Sequence, residues 1–177
     1  MKLPIIFAIA ALAPLYAAEN PIQQKAAPAR PIPNELIDYP KYLQIAREVQ
    51  PLREKRRLTE EQFATMAAEP GTIVLDARSA DKFKLRHIRG AVSLPFTDFT
   101  VDSLAKVIPE KTTRVLIYCN NNFLGAPVSL PGKKAEIALN ISTYIALATY
   151  GYTYIYELGP LLDVKTTKLP FEGDEVK

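Results

Sequence analysis

The most reactive group in the chain is a single thiol. Cys119 is the only cysteine among 177 residues and stands in "RVLIYCNNNFLGAPVSLPGKK", where an apolar β-type run gives way to a polar loop. The thiolate is the nucleophile and the thiol is not, so the chemistry open to Cys119 depends on whether its surroundings favour ionisation. Backbone N–H groups turned inward beside a helix N-terminus would favour it through donors and dipole. Three readings stand side by side: a nucleophile, a small buried hydrophobe, and a redox thiol that needs an external partner because the chain has no second cysteine.

The residues around Cys119 bear on that choice. Asn120, Asn121 and Asn122 tolerate left-handed backbone and carry side-chain N–H donors, so the run through Phe123, Leu124 and Gly125 is a candidate anion-binding loop, or a plain turn. Phe123 and Leu124 read as a lid or docking surface, or as packing against the sheet. Lys133 and Lys134 are candidate cationic contacts, or two solvated lysines. No arginine follows Cys119, which leaves phosphoryl transfer without its bidentate clamp. Asp76 and Arg78 end a neighbouring run, where Arg78 either braces the rim by pairing with Asp76 or Glu157 or offers a cation to the site. His87, the only histidine, reads as a rim residue bonded to backbone rather than a general base. One Cys and one His cannot make a structural zinc site, and no Gly-rich phosphate loop is present.

Alternating strand and helix patterns position these groups. Strands are expected at Thr72 to Leu75, running into Asp76, at "RVLIYC", and at "YTYIYEL", the last ended by Gly159-Pro160. Between them, Thr59 caps a helix from about Glu60 to Ala68 with Gln62 in the capping-box position, and Ser79 caps a short helix. "GAVSLPF" gives a short strand broken by Pro95, and "TVDSLAKVI" gives a helix closed by Pro109. Lys134 to Tyr150 is helical and apolar on almost every side, with Gly151 as a left-handed cap. From Lys41, helical spacing at Tyr42, Ile45 and Val49 is interrupted by Pro51. The alternation predicts an α/β domain with a mostly parallel central sheet flanked by helices, whose sites form at the carboxyl ends of strands.

Composition bounds the partners. Lys and Arg total 22 against 19 Asp and Glu, scattered rather than striped with aromatics, so nucleic acid is not expected. The start, "MKLPIIFAIAALAPLYAAEN", has a basic residue, an apolar stretch and small residues, the pattern of a signal peptide over residues 1–18 cleaved after Ala17 or Ala18. Its apolar stretch is shorter than the roughly 18 residues of a membrane span, so no stable span is expected after cleavage; retention as an anchor is the other reading. Export implies a secreted or periplasmic protein, where cysteines are normally paired. Residues 19–56 read as a Pro-rich leader and N-terminal helical extension, 57–162 as the domain, and 163–177 as a C-terminal tail.

The stretch "VLDARSADKFKLRHIRGAVSLP" resembles the rhodanese-like signature, in which a strand ends in Asp-x-Arg and a later His-Ile-x-Gly-Ala leads into a short strand and proline. Here these are Asp76, Arg78, His87, Ile88, Gly90, Ala91 and Pro95. "VLIYC" resembles the strand that delivers the family's nucleophilic cysteine, and "YGYTYIYELGP" is similar to its closing helix-to-strand passage. The resemblance covers about residues 57–162. It implies a three-layer rhodanese-like domain and a sulfurtransferase in which Cys119 carries sulfane sulfur as a persulfide. The sulfur would come from a thiosulfate-like donor and pass to an acceptor thiol or cyanide, without cofactor or metal. The loop departs from the pattern: active members close it in a short turn that often ends in Arg, whereas this one is enlarged over residues 120–132. That departure leaves a second function open, a non-catalytic binding module gripping a partner protein or small ligand with the enlarged loop.

Overall fold

The computed structural model describes residues 32–176, so the expected signal peptide and the first part of the leader lie outside the described residues. Three five-residue runs, β2 (Thr72–Asp76), β5 (Arg114–Tyr118) and β7 (Tyr154–Leu158), pair in parallel at the centre of a sheet. Two dipeptides complete it, β1 (Arg57–Leu58) beside β7 and β4 (Val92–Ser93) beside β2, in the order β1-β7-β5-β2-β4 with every pairing parallel. Strands buried on both faces need apolar residues at consecutive positions, which is what "RVLIY" supplies. Leu116 and Tyr118 face one core, Val115 and Ile117 the other. Phe63 of α2 (Glu60–Ala67) fills the first core; Leu104 of α4 (Val101–Val107) and Tyr144 and Leu147 of α5 (Leu139–Thr149) fill the second. This is the expected three-layer α/β architecture.

Local signals set most element starts. Thr59 and Gln62 form the expected capping box at α2, and Thr100 with Ser103 forms a second one at α4. Gly151 ends α5 at φ +87°, a backbone only glycine adopts freely. Ser79 stands at the cap position of α3 (Ala80–Leu85), but its side chain makes no capping bond. Two expectations are corrected. The helix α1 (Tyr39–Lys55) runs straight through Pro51, which costs one backbone hydrogen bond, because contacts beyond the proline hold its last turn. The helix expected from Lys134 begins only at Leu139: a 3₁₀ turn over Ala135–Ile137 precedes it, and Ala138 is extended at φ −59°, ψ 127°.

The segment after residue 162 lies against the domain. β8 (Leu162–Asp163) pairs with β6 (Phe123–Leu124), β9 (Phe171–Glu172) pairs antiparallel with β3 (His87–Ile88), and Leu169 and Phe171 are buried. No helix among the described residues is long and apolar enough to cross a membrane.

The strongest ties on α1 are polar, beside the apolar contact of Val49 with the second core. None of its residues is fully buried, and its last turn donates two bonds from Arg53 to Glu157, Nε to Oε2 at 2.8 Å and Nη2 to Oε1 at 2.7 Å. Arg57 adds a third contact at 3.1 Å. Glu157 is 1% exposed, and burial raises its carboxyl pKa although the two arginines pull it down. The folded chain therefore binds this proton more readily than the unfolded one, and the charged form at neutral pH depends on the arginines. We expect Arg53→Ala to cost on the order of 2–3 kcal/mol at neutral pH, the low side for a broken buried pair because Arg57 remains. The cost should shrink as pH falls through the raised carboxyl pKa, since a neutral Glu157 needs no cation. Urea unfolding of both proteins across that range checks this, and a cost independent of pH would refute it.

Candidate active site

Cys119 is the first residue past β5, at the carboxyl end of the central strand. Following Ile117 by two, it faces the core under α5. The backbone amides of Asn140, Asn121 and Leu139 favour its thiolate, the first and last of them from the opening turn of α5. Donors and helix terminus are thus placed as a thiolate requires. The sulfur is nevertheless covered, with the residue 1% exposed. Burial raises the Cys119 pKa, the three amides oppose it, and the charge of Glu157 adds to the rise.

A buried ionic network fixes the strand ends beside the sulfur. Asp76 closes β2 with 0% exposure and pairs with Arg78, Nη2 to Oδ2 at 2.5 Å and Nε to Oδ1 at 2.9 Å. Tyr118 donates its hydroxyl to the same carboxylate and accepts the Ile88 N–H at 3.1 Å. Arg78 also donates to the carbonyls of Ser129 at 2.9 Å and Arg86 at 2.7 Å. Burial disfavours its charge, yet Asp76 and Tyr118 more than compensate and the guanidinium pKa is raised. Arg78 is therefore a brace whose donors are committed, not the free cationic contact considered from sequence, and Glu157 takes Arg53 and Arg57 instead.

The asparagine run is a right-handed 3₁₀ turn over Asn120–Asn122, and no non-glycine residue described has positive φ, so the left-handed nest does not form. Each asparagine has a separate part. The Asn122 carboxamide accepts from the Cys119 N–H at 2.9 Å and from Asn140 Nδ2 at 3.0 Å, and donates to the carbonyls of Leu158 at 2.8 Å and Pro160 at 3.2 Å. Asn121 clasps the Lys133 backbone, Nδ2 to the carbonyl at 2.8 Å and Oδ1 from the N–H at 3.0 Å. That clasp is the side-chain tie on an otherwise exposed stretch, residues 132–137, leading to α5. Asn120 is 5% exposed and its Oδ1 has no hydrogen-bond partner.

Asn120 lines a cleft of ≈ 480 Å³ at the carboxyl ends of β2 and β5, with Arg78, Phe96, Pro131, Lys133 and Leu139. Cys119 does not line this cleft, although Asn120 and Leu139 do. The cleft thus gathers Asn120, Lys133 and Arg78 from the sequence candidates. Lys134 is exposed and makes no ion pair among the described residues. Phe123 is no lid: it sits in the opposite core against Phe171, ring centroids 5.1 Å apart. Leu124 is 55% exposed on β6, and Gly125 turns the chain at φ +87° against Asp163. His87 stacks on Phe83 and bonds the Phe83 carbonyl at 2.8 Å and Glu172 at 3.0 Å, on the rim formed with β9. Leu139, Asn140 and Tyr118 were not singled out from sequence; only the polar Asn140 at the start of an apolar helix signals a role.

With this geometry in place, the model of the rhodanese-like domain matches residues 59–155, more than half of the 177-residue chain. The chain belongs to the rhodanese-like domain family. Among solved structures it is similar to the BH2092 protein from Bacillus halodurans, 17% identical with a TM-score of 0.52, covering 75% of this chain and 88% of that one. It also matches a rhodanese with anions from E. coli, 21% identical, TM-score 0.39, over 58% of this chain and 98% of that one. A thiosulfate sulfurtransferase from Pseudomonas aeruginosa matches at 18% identity and TM-score 0.49, over 77% of this chain and 23% of that one. At these identities the likenesses bear on fold alone. No curated protein matches the chain. In this rhodanese-like domain the cysteine stands at the carboxyl end of β5, and the carboxamides of Asn121 and Asn122 tie the loop that follows it.

Two measurements test the site. The rate of Cys119 alkylation by iodoacetamide should rise with pH with a midpoint above the ordinary thiol value of about 8.5, because burial outweighs the amides. Asn121→Ala removes the two-bond clasp, worth about 1 kcal/mol per bond, and should raise the limiting rate at high pH roughly tenfold by easing access. A midpoint below that value, or an unchanged limiting rate in the variant, would contradict the respective account.

Proposed function

We propose that the chain is an exported sulfur carrier in which Cys119 takes up sulfane sulfur as a persulfide. The observation that supports this reading most is the position of Cys119 at the carboxyl end of β5, where the backbone amides of Asn140, Asn121 and Leu139 favour its thiolate. Such donors suit a thiolate and equally the persulfide anion that replaces it. Uptake proceeds after the thiol releases its proton to solvent. The Cys119 thiolate attacks the outer sulfur of thiosulfate, the new S–S bond forms as the old one breaks, and sulfite leaves with its electron pair. A thiol acceptor then takes the outer sulfur as its own persulfide and the Cys119 thiolate returns. In this reading Lys133, which lines the cleft, draws in the anionic donor.

A second reading, a non-catalytic binding module gripping a partner protein or small ligand with residues 120–132, is favoured by one observation: the sulfur is covered and its pKa raised. Incubation of the purified protein with thiosulfate followed by intact mass decides between them. The carrier reading expects the gain of one sulfur, lost in Cys119→Ser. A wild type that never gains sulfur while ligand or partner capture survives Cys119→Ala leaves the module. Export is tested by expressing the full chain with its first 18 residues and sequencing the mature N-terminus, expected after Ala17 or Ala18.

A further inference from the structure

Burial raises the Cys119 pKa, and the amide that opposes it most is that of Asn140, the second residue of α5. The first N–H groups of a helix have no carbonyl within it to bond. A capping side chain commonly takes one of them, but the residue before α5 is Ala138, which has none to offer. The opening turn therefore keeps its donors for the sulfur, and their effect depends on how α5 is set against the end of β5.

One atom makes that connection. Asn122 Oδ1 accepts the Cys119 N–H at 2.9 Å and Asn140 Nδ2 at 3.0 Å, so the residue carrying the sulfur and the residue carrying the amide share a single acceptor. Nδ2 of the same carboxamide donates to the carbonyls of Leu158 at 2.8 Å and Pro160 at 3.2 Å, which ties the pair to the end of β7. All the bonds open to a carboxamide are thus made by a side chain that is 5% exposed. Asn140 is served less well, since its own Oδ1 is buried and has no hydrogen-bond partner. An unmet acceptor works against stability, and leucine has nearly the same shape without one. Folding alone therefore gives little reason for a carboxamide at position 140.

We infer that Asn122 and Asn140 act together as the positioning pair of the Cys119 site, holding the opening turn of α5 where its free N–H groups serve an anion on the sulfur. Neither carboxamide takes part in sulfur transfer; the pair acts through the backbone amide of Asn140. With the tie cut, Tyr144 and Leu147 keep α5 in the core, but its first turn is free to draw back from the end of β5. The anion then loses a donor while the burial that opposes it remains. The inference concerns the thiol itself, and only its transfer arm rests on the sulfur-carrier reading, which it deepens.

Asn140→Leu is the test, because it keeps the bulk, removes the tie and also removes the unmet acceptor. Its melting temperature should stay within about 2 °C of the wild type. Its alkylation by iodoacetamide near pH 8 should nevertheless slow about three- to tenfold, with the limiting rate at high pH held within about twofold, as an upward move of the thiol midpoint requires. Asn140→Ala should move the midpoint in the same way. Asn122→Ala should do so too, with a lower melting temperature, since it also leaves the Cys119 N–H and two carbonyls unpaired. Phe63→Leu, in the opposite core, is the control and should melt lower with the midpoint unmoved. In the transfer arm, sulfur uptake from thiosulfate, followed by intact mass over time, should slow by the same factor in Asn140→Leu. A wild type that takes up no sulfur sinks the carrier reading and leaves the alkylation result standing. The inference is overturned if Asn140→Leu alkylates with the wild-type pH profile, if it melts as low as Phe63→Leu, or if Phe63→Leu moves the midpoint equally.

Discussion

Asp76 is the constraint around which the site end of the molecule is arranged. A carboxylate with no exposure cannot stay charged without near-complete satisfaction, and here Arg78 and Tyr118 supply it. Each partner then has obligations elsewhere. Arg78 holds the carbonyls at Ser129 and Arg86, and Tyr118 holds the Ile88 amide. One buried charge thereby joins the ends of β2 and β5, the exit of α3, the start of β3 and the enlarged loop. Since Tyr118 directly precedes Cys119, the network that stabilises this corner also fixes where the sulfur emerges. Loss of Arg78 would leave an unpaired charge in the core, at about 3–5 kcal/mol for a pair of this kind, whereas loss of the Tyr118 hydroxyl would keep the pair and remove one hydrogen bond.

The sulfur itself lies between two opposed effects of the same packing. Seating it against the opening turn of α5 brings three amides within reach, and the same seating removes it from water. Amides and helix terminus favour the anion, while desolvation opposes it more strongly. The resting site is therefore a protonated thiol with its anion stabilisers already in position. Entry of solvent would weaken the opposing effect before the helical one, because α5 is fixed by Tyr144 and Leu147 in the core whereas residues 132–137 are exposed and clasped by Asn121.

The sheet was legible in the sequence because both of its faces are buried, which writes β2, β5 and β7 as unbroken apolar runs. The capping boxes and Gly151 were legible because they are local. Pro51 misled for the complementary reason: its cost is local, but the contact between Arg53 and Glu157 that outweighs it spans 104 residues. β1, β3, β6, β8 and β9 are dipeptides whose pairing depends on distant partners, so no periodicity announces them, whereas β4 falls in the short strand expected before Pro95. Around Cys119 the sequence indicated the strand end and the missing arginine. It could not indicate that Asn121 and Asn122 would spend their carboxamides on backbone, since Asn122 finds Leu158 and Pro160 only after β7 is in place. Residue type alone also suggested an available Arg78, whereas the fold surrounds it with acceptors.

The two buried carboxylates are satisfied in different ways, and the difference matters for the thiol. Asp76 is neutralised by a residue two positions along its own strand exit, so its partner is present whenever β2 is formed. Glu157 depends on Arg53, carried by a helix with no fully buried residue, and on Arg57, whose side chain is 43% exposed. The charge of Glu157 raises the Cys119 pKa, and whatever loosens α1 leaves that charge less compensated. Water reaching the exposed carboxylate then screens it, so the two consequences of undocking oppose each other at the sulfur. The helix α1 is thus linked to the cysteine through Glu157 alone, the smallest of the influences on the Cys119 pKa.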